Sequence, residues 1–225
     1  MIKIEHAEVF GWEAAIRGMR NPMNSWERSD SVFCGREDER CAACEERHTD
    51  RCQCGVVLGK NDLSLMASLA KAGPDHRKFM RMIVLTADVT APLYWWKEYD
   101  TYKVGTVANS CSTMHKIHEK SFSLDDFSHE HLSGTSEAAL QGLIDTMNMY
   151  RNLFNTHRDK ESWWQMIQLL PSSYNQRRTV FLSYEALRNI HHARHPHKLD
   201  EWREFCAFLE TLPCAWLITA EEVGA

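Results

Sequence analysis

A mixed α/β domain (α+β, a mixed sheet flanked by helices) is the fold class this sequence predicts. Three observations point to it. A few β-rich runs are visible, and segments with helical spacing separate them. No internal repeat or low-complexity linker divides the 225 residues. The composition, 44% hydrophobic and 25% charged, is that of an ordinary globular protein, and a chain of this length buries a sizeable core without staples. The expected organisation is one domain over residues 1–225 with a Cys-rich insertion at about 31–58.

Ile2 to Val9 alternates like a strand. Trp12, Ala15, Ile16 and Met19 share one face of a helix, which Asn21-Pro22 ends because the residue before Pro avoids helical geometry. Residues 23–60 are irregular, polar and rich in Cys and acidic residues, and a loop this long needs a function or an internal staple. Asn61 or Asp62 is placed to cap a helix with apolar positions Leu63, Met66, Leu69 and Ala70, and Gly73 suits its C-terminal end. Phe79 to Val89 holds a β-rich run. Ala91 to Tyr99 looks helical, Lys103 to Asn109 extended, and 119–135 a polar connection. A long helix opens at Thr135 and runs to about His157, with Leu140, Leu143, Ile144, Met147, Tyr150 and Phe154 at helical spacing. Helices over Lys160–Leu170 and Leu199–Leu212, a strand over Arg178–Leu182, and a helix capped at Ser183 and ending before Pro196 complete the chain.

Charge and hydropathy exclude several classes. A net charge of -5 provides no global basic field to draw nucleic acid or an anionic membrane. No stretch approaches the ~18 apolar residues of a membrane helix. The first residues alternate like a strand and run into charge instead of an apolar export signal. A cytoplasmic protein with reduced cysteines is therefore expected.

Five of the eight cysteines, Cys34, Cys41, Cys44, Cys52 and Cys54, fall in the irregular stretch. Cys41-x2-Cys44 with Cys52-x-Cys54 offers four thiolates for a structural zinc, and His48 is a spare ligand. The single residue inside the second pair departs from zinc-ribbon spacing, so a loop of thiols that bind nothing stands beside this reading. His191 and His195, four apart, face one side of a helix but lack the Glu of a His-Glu-x-x-His motif. Cations offsetting a helix dipole, or an anion site, suit that cluster better than a catalytic metal. Arg203 presents a fork suited to phosphate or a pyrimidine carbonyl, or to a surface carboxylate. The run Tyr94 to Lys103 interleaves aromatics with charge and leads into the polar Asn109–Lys116. Such aromatic faces can stack on a flavin or a base; the competing reading is a helix with its Trp residues in the core.

Three stretches resemble the flavin-dependent thymidylate synthases, also called thymidylate synthase complementing proteins. Leu170-Pro171 through Leu209 follows that family's Leu-Pro, strand, Asn-x-Arg-Ser-Leu helix start and later Ala-Gln-x-Glu-Ile-Arg helix. Leu69 to Val89 is similar to its helix, glycine, His-x-x-Phe and strand. Ala91 to Lys116 stands in the place of its Arg-His-Arg-x-x-Ser signature. The resemblance implies the same fold, FAD as cofactor, a folate one-carbon donor, a pyrimidine nucleotide such as dUMP as acceptor, and a homotetramer. It implies His76, Thr101, Tyr102, Lys103 and Thr106 as flavin positions, and Glu98, Glu185 and Arg203 as nucleotide positions. The chain departs from the family at the signature, where Thr101-Tyr102-Lys103 replaces Arg-His-Arg and Thr106 the Ser. Glu98 replaces a Gln, and Glu185 replaces an Arg, where a carboxylate repels phosphate. Lys97, Lys103, Lys116, Arg177, Arg178 and Arg188 are the cations available to rebuild an anion site. Two functions follow as expectations: a flavin-dependent one-carbon transfer (a methyltransferase of nucleotide biosynthesis), or a non-catalytic nucleotide-binding or structural protein that retains the fold.

Overall fold

A computed structural model describes residues 2–33, 52–53 and 55–220. The proposed zinc ligands Cys41, Cys44 and Cys54 lie outside them, as does His48; only the backbone of Cys52 is described.

The elements run β1 (Lys3–Phe10), α1 (Trp12–Arg20), β2 (Val32–Phe33), β3 (Cys52–Gln53), β4 (Val56–Val57), α2 (Lys60–Lys71), β5 (Val84–Pro92), α3 (Leu93–Tyr99), β6 (Thr106–Ser110), α4 (Gly134–His157), α5 (Lys160–Leu169), β7 (Asn175–Ser183), α6 (Tyr184–Arg194), α7 (Asp200–Leu209) and α8 (Trp216–Thr219). The main sheet has the order β1-β5-β7-β6, and three short strands form a second sheet, β2-β4-β3. In the small sheet β4 lies antiparallel to both neighbours, with Val57 opposite Val32 and Cys52. The mixed α/β class is as expected.

Two compact units are distinguished by their contacts. One gathers Met1–Glu5, Asp88–Thr101 and Ala108–Thr179, and the other His6–Ala87, Tyr102–Val107 and Val180–Ala225. Both are described over their described residues only.

In the first unit, α4 and α5 pack together over Phe127, Ile144, Met147 and Met166. Their N-termini follow from sequence: Ser133 accepts from the Ser136 N–H, and Asp159 from the Ser162 N–H. The aromatic segment of α3 belongs to the core. Trp95, Trp96 and Tyr99 are buried and touch one another with ring centroids 4.8–5.3 Å apart. Trp96 Nε1 donates to the Gln176 carbonyl at 2.8 Å, and the Arg178 guanidinium lies 4.3 Å from the Trp96 ring. Burial also pushes the Tyr99 hydroxyl pKa well up. Stacking of these rings on a flavin or base, as the sequence allowed, is thereby corrected: at helical spacing the apolar bodies chose the core.

In the second unit, α1 packs on α2, and α6 packs on α7 and α8. Trp12 meets the Tyr184 ring edge-on at 5.7 Å. The expected cap of α2 is replaced. Asp30 receives the backbone N–H of Asn61 at 3.0 Å and of Asp62 at 3.1 Å. Asp62 is instead fully buried, taking Arg20 Nε at 2.6 Å and Ser31 Oγ at 2.6 Å. Burial favours its neutral form, but the hydrogen bonds from Ser31, Arg20 and Ser29 outweigh burial and hold the carboxyl below the ordinary aspartate value. Ser183 caps α6 as its sequence suggested, accepting from the Ala186 N–H at 3.2 Å.

Candidate ligand-binding site

The segment from Tyr102 to Thr106 is tied down at both ends. Thr106 Oγ1 donates to the Tyr102 carbonyl at 2.5 Å, and the Ser183 N–H donates to the Gly105 carbonyl at 3.1 Å. Tyr102 is half-buried; its hydroxyl accepts from Arg194 Nε at 2.8 Å. That guanidinium also lies 4.9 Å from the Trp202 ring and 5.6 Å from the Tyr102 ring. Lys103 and Val104 form the exposed tip. Arg194 thus joins Tyr102 to Trp202. By sequence it is one of several helix-end cations; in the structure its Nε donates to the hydroxyl of Tyr102, a position matched to flavin.

His76 is exposed and lines a cavity of ≈ 380 Å³ with Met23, Leu69, Asp75, Lys78 and Phe79. A neighbouring cavity of ≈ 540 Å³ is lined by Arg20, Arg28, Asn24, Asn61 and three serines. Both volumes are of small-ligand size. The second is lined from α1, the loop after it and α2, where no sequence motif points to a ligand.

Glu185 is buried. Arg77 Nε donates to both its carboxylate oxygens, at 3.2 and 3.1 Å. The charge expected to repel phosphate is compensated inside the protein. Arg203 is exposed, with Nη1 donating to the His197 and Lys198 carbonyls at 3.1 and 3.3 Å and Nη2 paired with Asp200. A surface pair of this kind is worth about 0–1 kcal/mol.

In the first unit, Glu98 is half-buried and Thr101 exposed, with Thr101 Oγ1 donating to the Glu98 carbonyl at 2.7 Å. The cations named to rebuild an anion site are mostly engaged. Arg177 pairs with Asp88 at 2.6 Å, Arg178 with Asp100 at 2.7 Å, and Lys116 with Glu119 at 2.5 Å. In the second unit Arg188 is buried, donating to the Leu217 carbonyl at 2.9 Å. Lys97 and Lys103 are exposed and make no ion pair among the described residues.

Two solved structures share the architecture. One is thymidylate synthase X from Helicobacter pylori with FAD and dUMP. It is 14% identical, with 96% of each chain covered and a TM-score of 0.64. The other, flavin-dependent thymidylate synthase ThyX from Helicobacter pylori complexed with FAD and dUMP, gives the same 14%, 96% and 0.64. The fold is that of thymidylate synthase X. At this identity the likeness is one of fold. No protein-family model matches the chain, and no curated protein sequence matches it. No helix among the described residues is long and apolar enough to cross a membrane.

Against the thymidylate synthase X ligands, the matched positions divide in two. The positions that the resemblance matches to flavin offer suitable donor groups: His76 and Lys103 are exposed with no side-chain partner among the described residues. The hydroxyl oxygens of Thr101 and Thr106 retain acceptor capacity. At the nucleotide positions Arg203 is exposed on the surface, but Glu185 is spent on Arg77 and offers phosphate nothing.

Proposed function

We propose that the chain is a divergent flavin-dependent thymidylate synthase-like protein, cytoplasmic and homotetrameric, that binds FAD and a pyrimidine deoxynucleotide such as dUMP. One observation carries the reading: the fold matches over 96% of both chains a protein solved with FAD and dUMP. On that fold His76, Thr101, Tyr102, Lys103 and Thr106 are the proposed flavin positions, Lys103 offering a positive charge and the others hydrogen-bonding groups. Glu98 and Arg203 are the proposed nucleotide positions, and the planar guanidinium of Arg203 suits phosphate. When bound, reduced flavin supplies the hydride that completes the methyl group built from a folate one-carbon unit. The chain acts as one domain with a Cys-rich insertion, in which Cys41, Cys44, Cys52 and Cys54 are the proposed ligands of a structural zinc.

A second reading, a protein that retains the fold without the reaction, is favoured by the internal Arg77–Glu185 pair and by Trp95 and Trp96 being enclosed in the core. One experiment separates the two. The purified protein is expected to be yellow, or to take up added FAD to near one equivalent per chain, and to release tritium from 5-labelled dUMP when a tetrahydrofolate carrying a one-carbon unit and a reductant for the flavin are supplied. Flavin uptake without tritium release supports the second reading. A colourless protein that ignores added FAD sinks the first.

A further inference from the structure

The C-terminal ends of α6 and α7 meet at three side chains that the flavin site does not use. His191 lies in the last turn of α6, His195 is the C-cap of that helix, and Glu210 is the C-cap of α7. The four-residue spacing puts both imidazoles on one face, with ring centroids 5.1 Å apart. Glu210 Oε1 lies 3.0 Å from His191 Nε2 and 3.5 Å from His195 Nε2. One ligand atom from each residue falls within 4.8 Å of the other two. Zinc bonds of about 2.1 Å at a tetrahedral angle separate ligand atoms by about 3.4 Å, and the two carboxylate–imidazole distances bracket that value.

We propose that His191, His195 and Glu210 form a binding site for a divalent transition cation of the zinc class. Two imidazole nitrogens and one carboxylate oxygen suit Zn2+, Co2+, Ni2+ or Cu2+, whereas Mg2+ and Ca2+ prefer all-oxygen shells. The local field has the right sign: two helix C-termini, each carrying partial negative charge, converge with a carboxylate. The side chain of His191 is only 10% exposed, so packing fixes one ligand; Glu210 at 44% and His195 at 62% leave the site open to an ion and to a water in the fourth position. A bound ion ties the end of α6 to the end of α7. The sequence showed the histidine pair but not its third partner, because Glu210 is 19 residues from His191 and joins it only through the packing of α6 on α7.

Co2+ alone is the probe, titrated into the tag-free full chain. The expected result is saturable visible absorbance from a nitrogen- and oxygen-ligated ion, displaced by Zn2+. It weakens by about tenfold or more in His195→Ala and in Glu210→Gln. Both positions are at the surface, so the variants keep the fold, and unchanged circular dichroism checks this. His157→Ala, at an exposed position elsewhere, leaves the titration unchanged. Unaltered Co2+ affinity in both site variants overturns the proposal. So does Co2+ absorbance confined to thiolate charge transfer, which assigns the ion to the cysteine-rich segment.

Discussion

Glu185 shows how a single residue changes meaning once its neighbours are known. By residue type it is a phosphate-repelling carboxylate in the place of an arginine. In the folded chain it is half of an ion pair with Arg77, whose side chain is 4% exposed against 11% for Glu185. The pair is 108 residues apart in sequence. No local signal announced it; Arg77 read only as part of the His76-Arg77-Lys78-Phe79 match. Removing one partner of a buried pair strands the other charge and typically costs about 3–5 kcal/mol. We expect Arg77→Ala to lower unfolding free energy in urea by about 3 kcal/mol. The paired replacement Arg77→Met with Glu185→Leu should recover most of that loss, because both charges then leave together. A loss below about 1 kcal/mol in the single variant is what a surface pair gives, and it would remove the buried-pair account.

At the scale of elements, most of the helices and strands were legible from apolar spacing, with local side-chain caps helping at α4, α5 and α6. The faces of α1, α2 and α4, the Ser183 cap and the left-handed Gly73 after α2 all follow from residue types. What failed to show was tertiary. The cap of α2 comes from Asp30, and the α3 aromatics that looked like a binding surface fill the core. The Tyr102–Thr106 segment also depends on a distant element. Gly105 has φ +72°, and a Cβ there would meet Ser183 Oγ at 2.9 Å. Gly105→Ala therefore carries left-handed strain of about 1–2 kcal/mol and also disturbs the α6 cap, worth about 1 kcal/mol more. Gly73, with φ +99° and open space around its Cβ, isolates the strain alone. Chemical denaturation should show Gly105→Ala costing about 1 kcal/mol more than Gly73→Ala. Equal losses would dissolve the link between this segment and Ser183.

For the whole molecule, the order of elements held more information than residue identity. At 14% identity no family model matches, yet 96% of both chains superpose in fold. Burial patterns and helix boundaries persist under substitution because many apolar residues satisfy the same position, whereas an arginine clamp does not survive loss of its arginines. The fold was thus readable from the order of elements. Assembly is the property that rests most heavily on the likeness. A homotetramer requires light scattering to return about four times the 26.1 kDa chain mass, independent of loading across a tenfold dilution. Adding FAD should leave that mass unchanged if assembly precedes ligand binding, and raise it from a smaller species if the ligand completes the interface. A steady 26.1 kDa with and without FAD would remove the tetramer. It would leave His76, Lys103 and Arg203 to be judged as the surface of a single chain.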